Sequence, residues 1–208
     1  MQTTLEVRWF LKGSPPAAVQ HWFRFECPGH LLTPEAQTRE DLYAYGNLDD
    51  YLNKFKQFAP NLTSDRINLK LREGNLELKL REEQFEDRIT HYYGDRIWAG
   101  RVERWRKLNL QQQESPSNEI GDLNWIPVCK KRSQKSDRSV ESELTLVETK
   151  DSAWWTIAFE MSTDNNLGVD FFCEIVEQAA LTYSGPKLLT EDSYSYAHWL
   201  DKFITSQN

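Results

Sequence analysis

Residues 67–72 and 76–81 each alternate without a break. Ile67, Leu69 and Leu71, then Leu76, Leu78 and Leu80, are interleaved with Asn68, Lys70 and Arg72, then with Glu77, Lys79 and Arg81. A period of two is the signature of a β-strand, because successive side chains point to opposite faces. Glu73-Gly74-Asn75 supplies the residues a tight reversal needs. The segment reads as a hairpin with one leucine face and one face carrying Lys70, Arg72, Lys79 and Arg81, with Glu77 among them. Which face points inward decides what such a chain can do. With the leucines in the core, the charges are a solvated surface, the usual state of an antiparallel sheet. In a closed barrel covered on its outside, the same charges line the bore. Four cations converging there repel one another unless an anion sits between them.

The rest of the chain favours a sheet that curls. Alternating or β-rich stretches at 3–11, 40–45, 95–110, 125–132, 141–149 and 153–161 add strands, the last two as a hairpin turning at Lys150-Asp151-Ser152. Short helices are predicted at 17–25 and 49–58, a polar loop at 111–121 and a charged turn at 133–139. The period then changes: 168–181 and 194–204 show helical spacing, with Phe171, Ile175, Val176 and Ala179 on one stripe and Tyr196, Trp199, Leu200 and Phe203 on the other. Many antiparallel strands followed by two helices predict a mainly β fold. The expectation is a closed or nearly closed antiparallel barrel with flanking helices, spanning 1–208 as one domain.

Composition narrows the function. A net charge of −7 in 208 residues argues against a nucleic-acid or basic membrane-surface protein. Three widely spaced cysteines give no disulfide framework or zinc spacing, and fit a reducing compartment. The charged N-terminus does not read as a signal peptide, and no run of about 18 apolar residues exists. The cytoplasm is the expected location. The four histidines show no metal-ligand spacing, and no Gly-rich phosphate loop or nucleophile elbow is present.

Parity selects the candidate site. On the polar faces of their strands lie Glu6, Arg8, Lys70, Arg72, Lys79, Arg81, Lys130, Arg132 and Glu160, whereas Lys131 points the other way. A one-residue slip reverses a strand's faces, so each strand is a separate expectation. Thr156, Ala158 and Glu160 share a face with little bulk, which would leave room for a ligand.

In order, these pieces resemble the CYTH domain, or triphosphate tunnel metalloenzyme, family. The resemblance lies in Leu69-Lys-Leu-Arg with Leu76-Glu-Leu-Lys-Leu-Arg81, in Trp125-Ile-Pro-Val-Cys-Lys-Lys-Arg132, in Glu143-Leu-Thr-Leu-Val with Thr156-Ile-Ala-Phe-Glu160, and in Ser193-Tyr-Ser-Tyr-Ala-His-Trp-Leu200. It implies a tunnel of antiparallel strands and metal-dependent cleavage of triphosphate or polyphosphate. Arg8, Lys70, Arg72, Lys79, Arg81, Lys130 and Arg132 would hold phosphate. Glu6, Glu143 and Glu160 would hold Mg²⁺ or Mn²⁺, hard cations that take oxygen ligands. The family's first-strand Glu-x-Glu-x-Lys is Thr4-Leu5-Glu6-Val7-Arg8 here, so one carboxylate is missing. Slow or absent hydrolysis with retained anion binding is the expectation. The alternatives are a barrel that carries an apolar small molecule against the leucine face, and a protein-interaction module.

Overall fold

The computed structural model describes residues 2–45, 48, 63, 66–93, 96–109, 123–150, 152–164 and 167–205. The predicted helix 49–58 and loop 111–121 lie outside them. The strands are β1 (Gln2–Lys12), β2 (His30–Leu31), β3 (Gln37–Tyr45), β4 (Ile67–Arg72), β5 (Asn75–Tyr93), β6 (Arg96–Asn109), β7 (Asn124–Asp137), β8 (Val140–Glu148) and β9 (Ala153–Ser162). The helices are α1 (Ala17–Phe25), α2 (Val169–Thr182) and α3 (Tyr196–Thr205). Neighbouring strands pair antiparallel in the order β7-β3-β4-β5-β6-β1-β9-β8, and β8 pairs back with β7. Eight strands therefore close into a barrel, with β2 as a short addition on β7.

Tight turns set the register. Glu73 and Gly74 both have positive φ, and Arg72 pairs with Asn75 across them, a two-residue reversal that suits strand twist. The same device joins β7 to β8 through Arg138 and Ser139, with φ of 45° and 74°. The charged stretch expected to be a turn at 133–139 is thus mostly strand. β7 runs on to Asp137, and Lys135 is buried on it, donating to the Cys27 carbonyl at 2.5 Å. Longer β5 bends through two register shifts, at Arg81/Glu83 and Phe85/Ile89, as a strand wrapping a barrel does.

Three apolar clusters pack around this frame. One flank of the barrel's exterior is covered by α1 and α2, which bury Trp22, Phe172, Val176 and Ala179 against Val7, Trp9, Trp98 and Phe159. A second cluster on the exterior holds the leucine face: Ile67, Leu69, Leu78 and Leu80 are at most 2% exposed and pack with Ala44 and Leu48. The leucines therefore point out of the barrel, which overturns the alternative in which they line an apolar bore.

The third cluster fills one end of the interior. Phe10 stacks on Trp199 at 5.2 Å and on Tyr194 at 5.4 Å, and meets Tyr196 edge-on at 5.0 Å. α3 is tied to this end by backbone as well as by rings. Tyr194 N–H donates to the Arg8 carbonyl, and Arg101 donates to the carbonyls of Thr190 and Ser193. The Ser195 hydroxyl accepts from His198 N–H, capping the helix.

The exterior packing is tight enough to test. The Trp9 indole donates to the Ala99 carbonyl at 2.8 Å and packs against Gly100, where an added Cβ would meet the ring at 2.5 Å. Neither a buried indole nor a paired strand can give way easily, so Gly100→Ala should destabilise by about 2 kcal/mol, the usual scale of overpacking. Urea unfolding of the variant checks this; wild-type stability would contradict the packing described.

Candidate functional site

Parity carries the charged residues inward on every strand around the bore. Thr4, Glu6 and Arg8 come from β1, Arg39 and Tyr43 from β3, and Asn68, Lys70 and Arg72 from β4. Glu77 and Lys79 come from β5, Lys107 from β6, Lys130 and Arg132 from β7, Glu141 and Glu143 from β8, and Ala158 and Glu160 from β9. With Tyr196 from α3 they surround a cavity of about 500 Å³. Room exists because β9 turns Ala158 and Ser162 inward between the longer side chains. An eight-stranded barrel is just wide enough to be filled by side chains or to hold one small ligand.

Of the ten residues predicted for the site, nine line this cavity: Glu6, Arg8, Lys70, Arg72, Lys79, Lys130, Arg132, Glu143 and Glu160. Arg81 is not on its wall. It lies beside it and pairs with buried Glu103 at 2.7 Å. The sequence reading missed Arg39, Asp41 and Tyr43, whose alternation on β3 was visible but began before the strand was expected to start. It gave Lys107 no role in the site and took Tyr196 for part of a helical stripe.

The charges are organised around a few carboxylates. Asp41, 0% exposed, receives Lys130 at 3.0 Å and Arg72 at 3.1 Å, with Arg39 at 3.5 Å. Burial would raise its pKa, but Lys130, Lys70 and Arg39 outweigh that and hold it far below the carboxylate range. Glu77 gathers Lys70 at 3.0 Å, Arg72 at 3.3 Å and Lys107 at 3.4 Å. Glu143 receives Arg8 at 2.9 Å and Arg132 at 3.4 Å. Lys79 bridges Glu6 at 2.5 Å and Glu160 at 3.5 Å.

Those last two belong to a row. Glu103, Glu6, Glu160 and Glu141 are successive cross-strand neighbours on β6, β1, β9 and β8. Like charges placed directly opposite repel. Lys79 and Arg81 reach into the row and relieve it, yet burial and Glu6 still push the Glu160 carboxyl up. Cations dominate elsewhere. Eight basic side chains line the cavity against five carboxylates, six if Asp41 behind the wall is included. Burial and nearby Arg72 lower the Lys70 ammonium to about 8, only partly offset by Asp41 and Glu77.

Some donors are left over. Arg132 Nε and the Tyr196 hydroxyl are buried without a hydrogen-bond partner, although both residues face the cavity. The metal-binding role expected of Glu6, Glu143 and Glu160 fares differently. All three face the bore, but Glu6 is held by Lys79 and the Thr4 hydroxyl, and Glu143 by Arg8, Arg132 and Thr145. Among the described residues, no three His, Cys, Asp or Glu side chains are grouped to hold an ion. The arrangement does not fit a preformed metal centre.

No family model matches the chain, and no curated protein matches it. Solved structures similar to it include a conserved hypothetical protein from Pyrococcus furiosus, 14% identical over 94% of this chain and 98% of that one, with a TM-score of 0.44. The Pct1 RNA triphosphatase of S. pombe is 10% identical over 89% of this chain and 85% of its own, with a TM-score of 0.47. A chain of the Schizosaccharomyces pombe Mediator head module is 11% identical over 86% and 91%, with a TM-score of 0.43. Likenesses this distant carry nothing about the chemistry of the bore. No helix among the described residues is long and apolar enough to cross a membrane.

Glu143 offers a test of the ion-pair network by pH. Burial opposes its ionisation, but Arg8 and Arg132 outweigh it and bring the pKa from 4.5 down to about 2. A depressed carboxylate adds stability above its unfolded pKa and loses it as pH falls through the folded one. Wild type should therefore exceed Glu143→Gln by about 3 kcal/mol at pH 7. The gap should close between about pH 4.5 and pH 2. Urea melts across that range measure it, and a gap independent of pH would refute the pairing.

Proposed function

We propose that the bore binds a compact polyanion of the triphosphate or polyphosphate class. The observation that carries this reading is the excess of cations in a barrel cavity of about 500 Å³ that also presents unpartnered donors. Like charges crowded into a low-dielectric space repel strongly, and an anion relieves that repulsion while satisfying Arg132 Nε. Guanidinium groups suit phosphate oxygens because their planar fork donates two parallel bonds. The family resemblance of the strand motifs points to the same class of ligand.

Binding, with slow or no hydrolysis, is the function the geometry supports best. Phosphoryl transfer depends on positioning and on neutralising developing charge. The carboxylates that would hold a metal for it are engaged by the protein's own cations, and Thr4 puts a hydroxyl where a further carboxylate would stand. The Thr4 hydroxyl donates to Glu6 at 2.7 Å, so it supports the Glu6–Lys79 pair. The roles assigned to Arg8, Lys70, Arg72, Lys79, Lys130 and Arg132 are those of phosphate-binding residues. Arg81 keeps a supporting place through Glu103.

Thermal melts with sodium tripolyphosphate test the reading. At a ligand concentration of about 100 times Kd, binding stabilises by about 2.7 kcal/mol, or about 5–10 °C in a chain of this size. Sulfate at matched ionic strength controls for the general effect of such salts. The rise should shrink in Arg132→Ala and persist in Arg104→Ala, whose pair with Glu83 lies outside the cavity. Absence of any rise with millimolar pyrophosphate, tripolyphosphate or long-chain polyphosphate, with and without Mg²⁺, would sink the proposal.

A further inference from the structure

The closed end of the bore is made by α3, and the residue through which it meets the charged cavity is Tyr196. Its ring is held on several sides. Lys130 Nζ stands 3.8 Å from the ring centroid and Arg8 Cζ 4.8 Å. Phe10 meets it edge-on, and Tyr43 stacks on it at 5.4 Å. Contacts of this kind fix a ring's position and leave its edge to do something else.

The hydroxyl is treated differently from the ring. Tyr196 is 8% exposed, and its hydroxyl has no hydrogen-bond partner. The Tyr43 phenol in the same wall does have one, Lys130 at 2.5 Å. Leaving a buried hydroxyl unpaired is unfavourable, and folded proteins retain few such groups without a reason. Burial pushes the Tyr196 phenol up, so it stays protonated and remains a donor. Tyr196 lines the cavity with both cations over its ring, at the end where the interior is blocked by Phe10 and Trp199.

We propose that Tyr196 donates its hydroxyl proton to the innermost phosphate of the bound ligand, and so recognises a chain terminus inserted end-first into the bore. The proposal rests on the polyphosphate reading above and adds to it a specificity-determining residue and a direction of entry. The charges of Lys130 and Arg8, paired in the ligand-free protein with Asp41 and Glu143, draw the phosphate toward the phenol. A void of about 20 Å³ adjoins the same ring beside Asn68, Trp105 and Ser195, large enough for a single water. A hydroxyl engaged there would stabilise the ligand-free protein, whereas a hydroxyl reserved for ligand would not.

Tyr196→Phe keeps the ring and removes only the hydroxyl. Calorimetric titration with sodium tripolyphosphate should give a Kd raised about tenfold or more, the scale of one hydrogen bond to a charged acceptor. The melting temperature without ligand should be unchanged or higher. The preference for linear tripolyphosphate over cyclic trimetaphosphate, which has no terminal phosphate, should narrow by the same factor. Unaltered tripolyphosphate affinity would overturn the proposal, as would an unaltered linear-to-cyclic ratio. A ligand-free melting temperature lowered by about 4 °C or more would overturn it too, by assigning the hydroxyl to folding. Failure of wild type itself to bind tripolyphosphate sinks the polyphosphate reading. Wild-type binding that Tyr196→Phe leaves intact sinks only the role of Tyr196.

Discussion

The pairing of β7 with β8 is the contact on which the rest depends. It joins the two ends of the strand order, so the sheet has an inside and an outside and no free edge around the bore. In an open sheet, Lys70, Arg72, Lys79 and Lys130 would lie on a solvated face and need no particular partners. Closure takes them out of bulk water together. It also leaves the leucine and tryptophan faces outside, where they have to be covered. α1 and α2 bury one flank, and the exterior cluster around Leu69, Leu78 and Leu80 is a second. The barrel is therefore apolar on its covered exterior and charged within, the reverse of a barrel that carries lipid.

A charged interior is stable only if its charges meet one another. Desolvating an ion is expensive, and mutual attraction compensates only where geometry is good and the remaining donors are satisfied. Asp41 shows how this is managed: one fully buried carboxylate holds cations from its own strand, from β4 and from β7. Lys130 is the other side of the same arrangement. Its burial, with Lys70 and Arg39 near, drives its pKa well down despite Asp41. The network thus tolerates its basic residues under strain, and a further negative group would relieve it.

How much of this could be read from the chain alone follows from the range of the interactions. The hairpin's two faces were legible because a strand's period is local, and so was the inward parity of Arg8, Lys130 and Glu160. β7 beyond Arg132 was not. Ser133 to Asp137 is polar enough to resemble a turn, and what buries Lys135 is the Cys27 carbonyl, more than a hundred residues away. Asp41 was illegible for the same reason. Nothing near it in sequence marks it as a hub, because Arg72 and Lys130 reach it only once β3 lies between β4 and β7. Tyr196 has the spacing of a packed helical residue and is one; the lack of a partner for its hydroxyl is visible only in three dimensions.

The two ends of the bore have different chemistry, and this gives the site a direction. Toward Gln2, Gln134, Ser139 and Ser162 the lining is polar apart from Leu32. Toward Phe10, Val128 and Trp199 it is aromatic and apolar and filled by α3. A polyanion cannot shed its hydration against apolar rings without a large penalty, so the filled end is a poor exit as well as a physical stop. The acidic row from Glu103 to Glu141 runs over β6, β1, β9 and β8, whereas Arg39, Lys70, Arg72 and Lys130 lie on β3, β4 and β7. Repulsion from one wall and attraction from the other would hold an anion against β3, β4 and β7, near Asp41 and Glu77. Those two carboxylates gather the cations that a phosphate would otherwise gather, so ligand and protein compete for the same donors. In the proposed reading, the affinity of the bore for a polyanion depends on how far Glu77, still 13% exposed, yields its three cations.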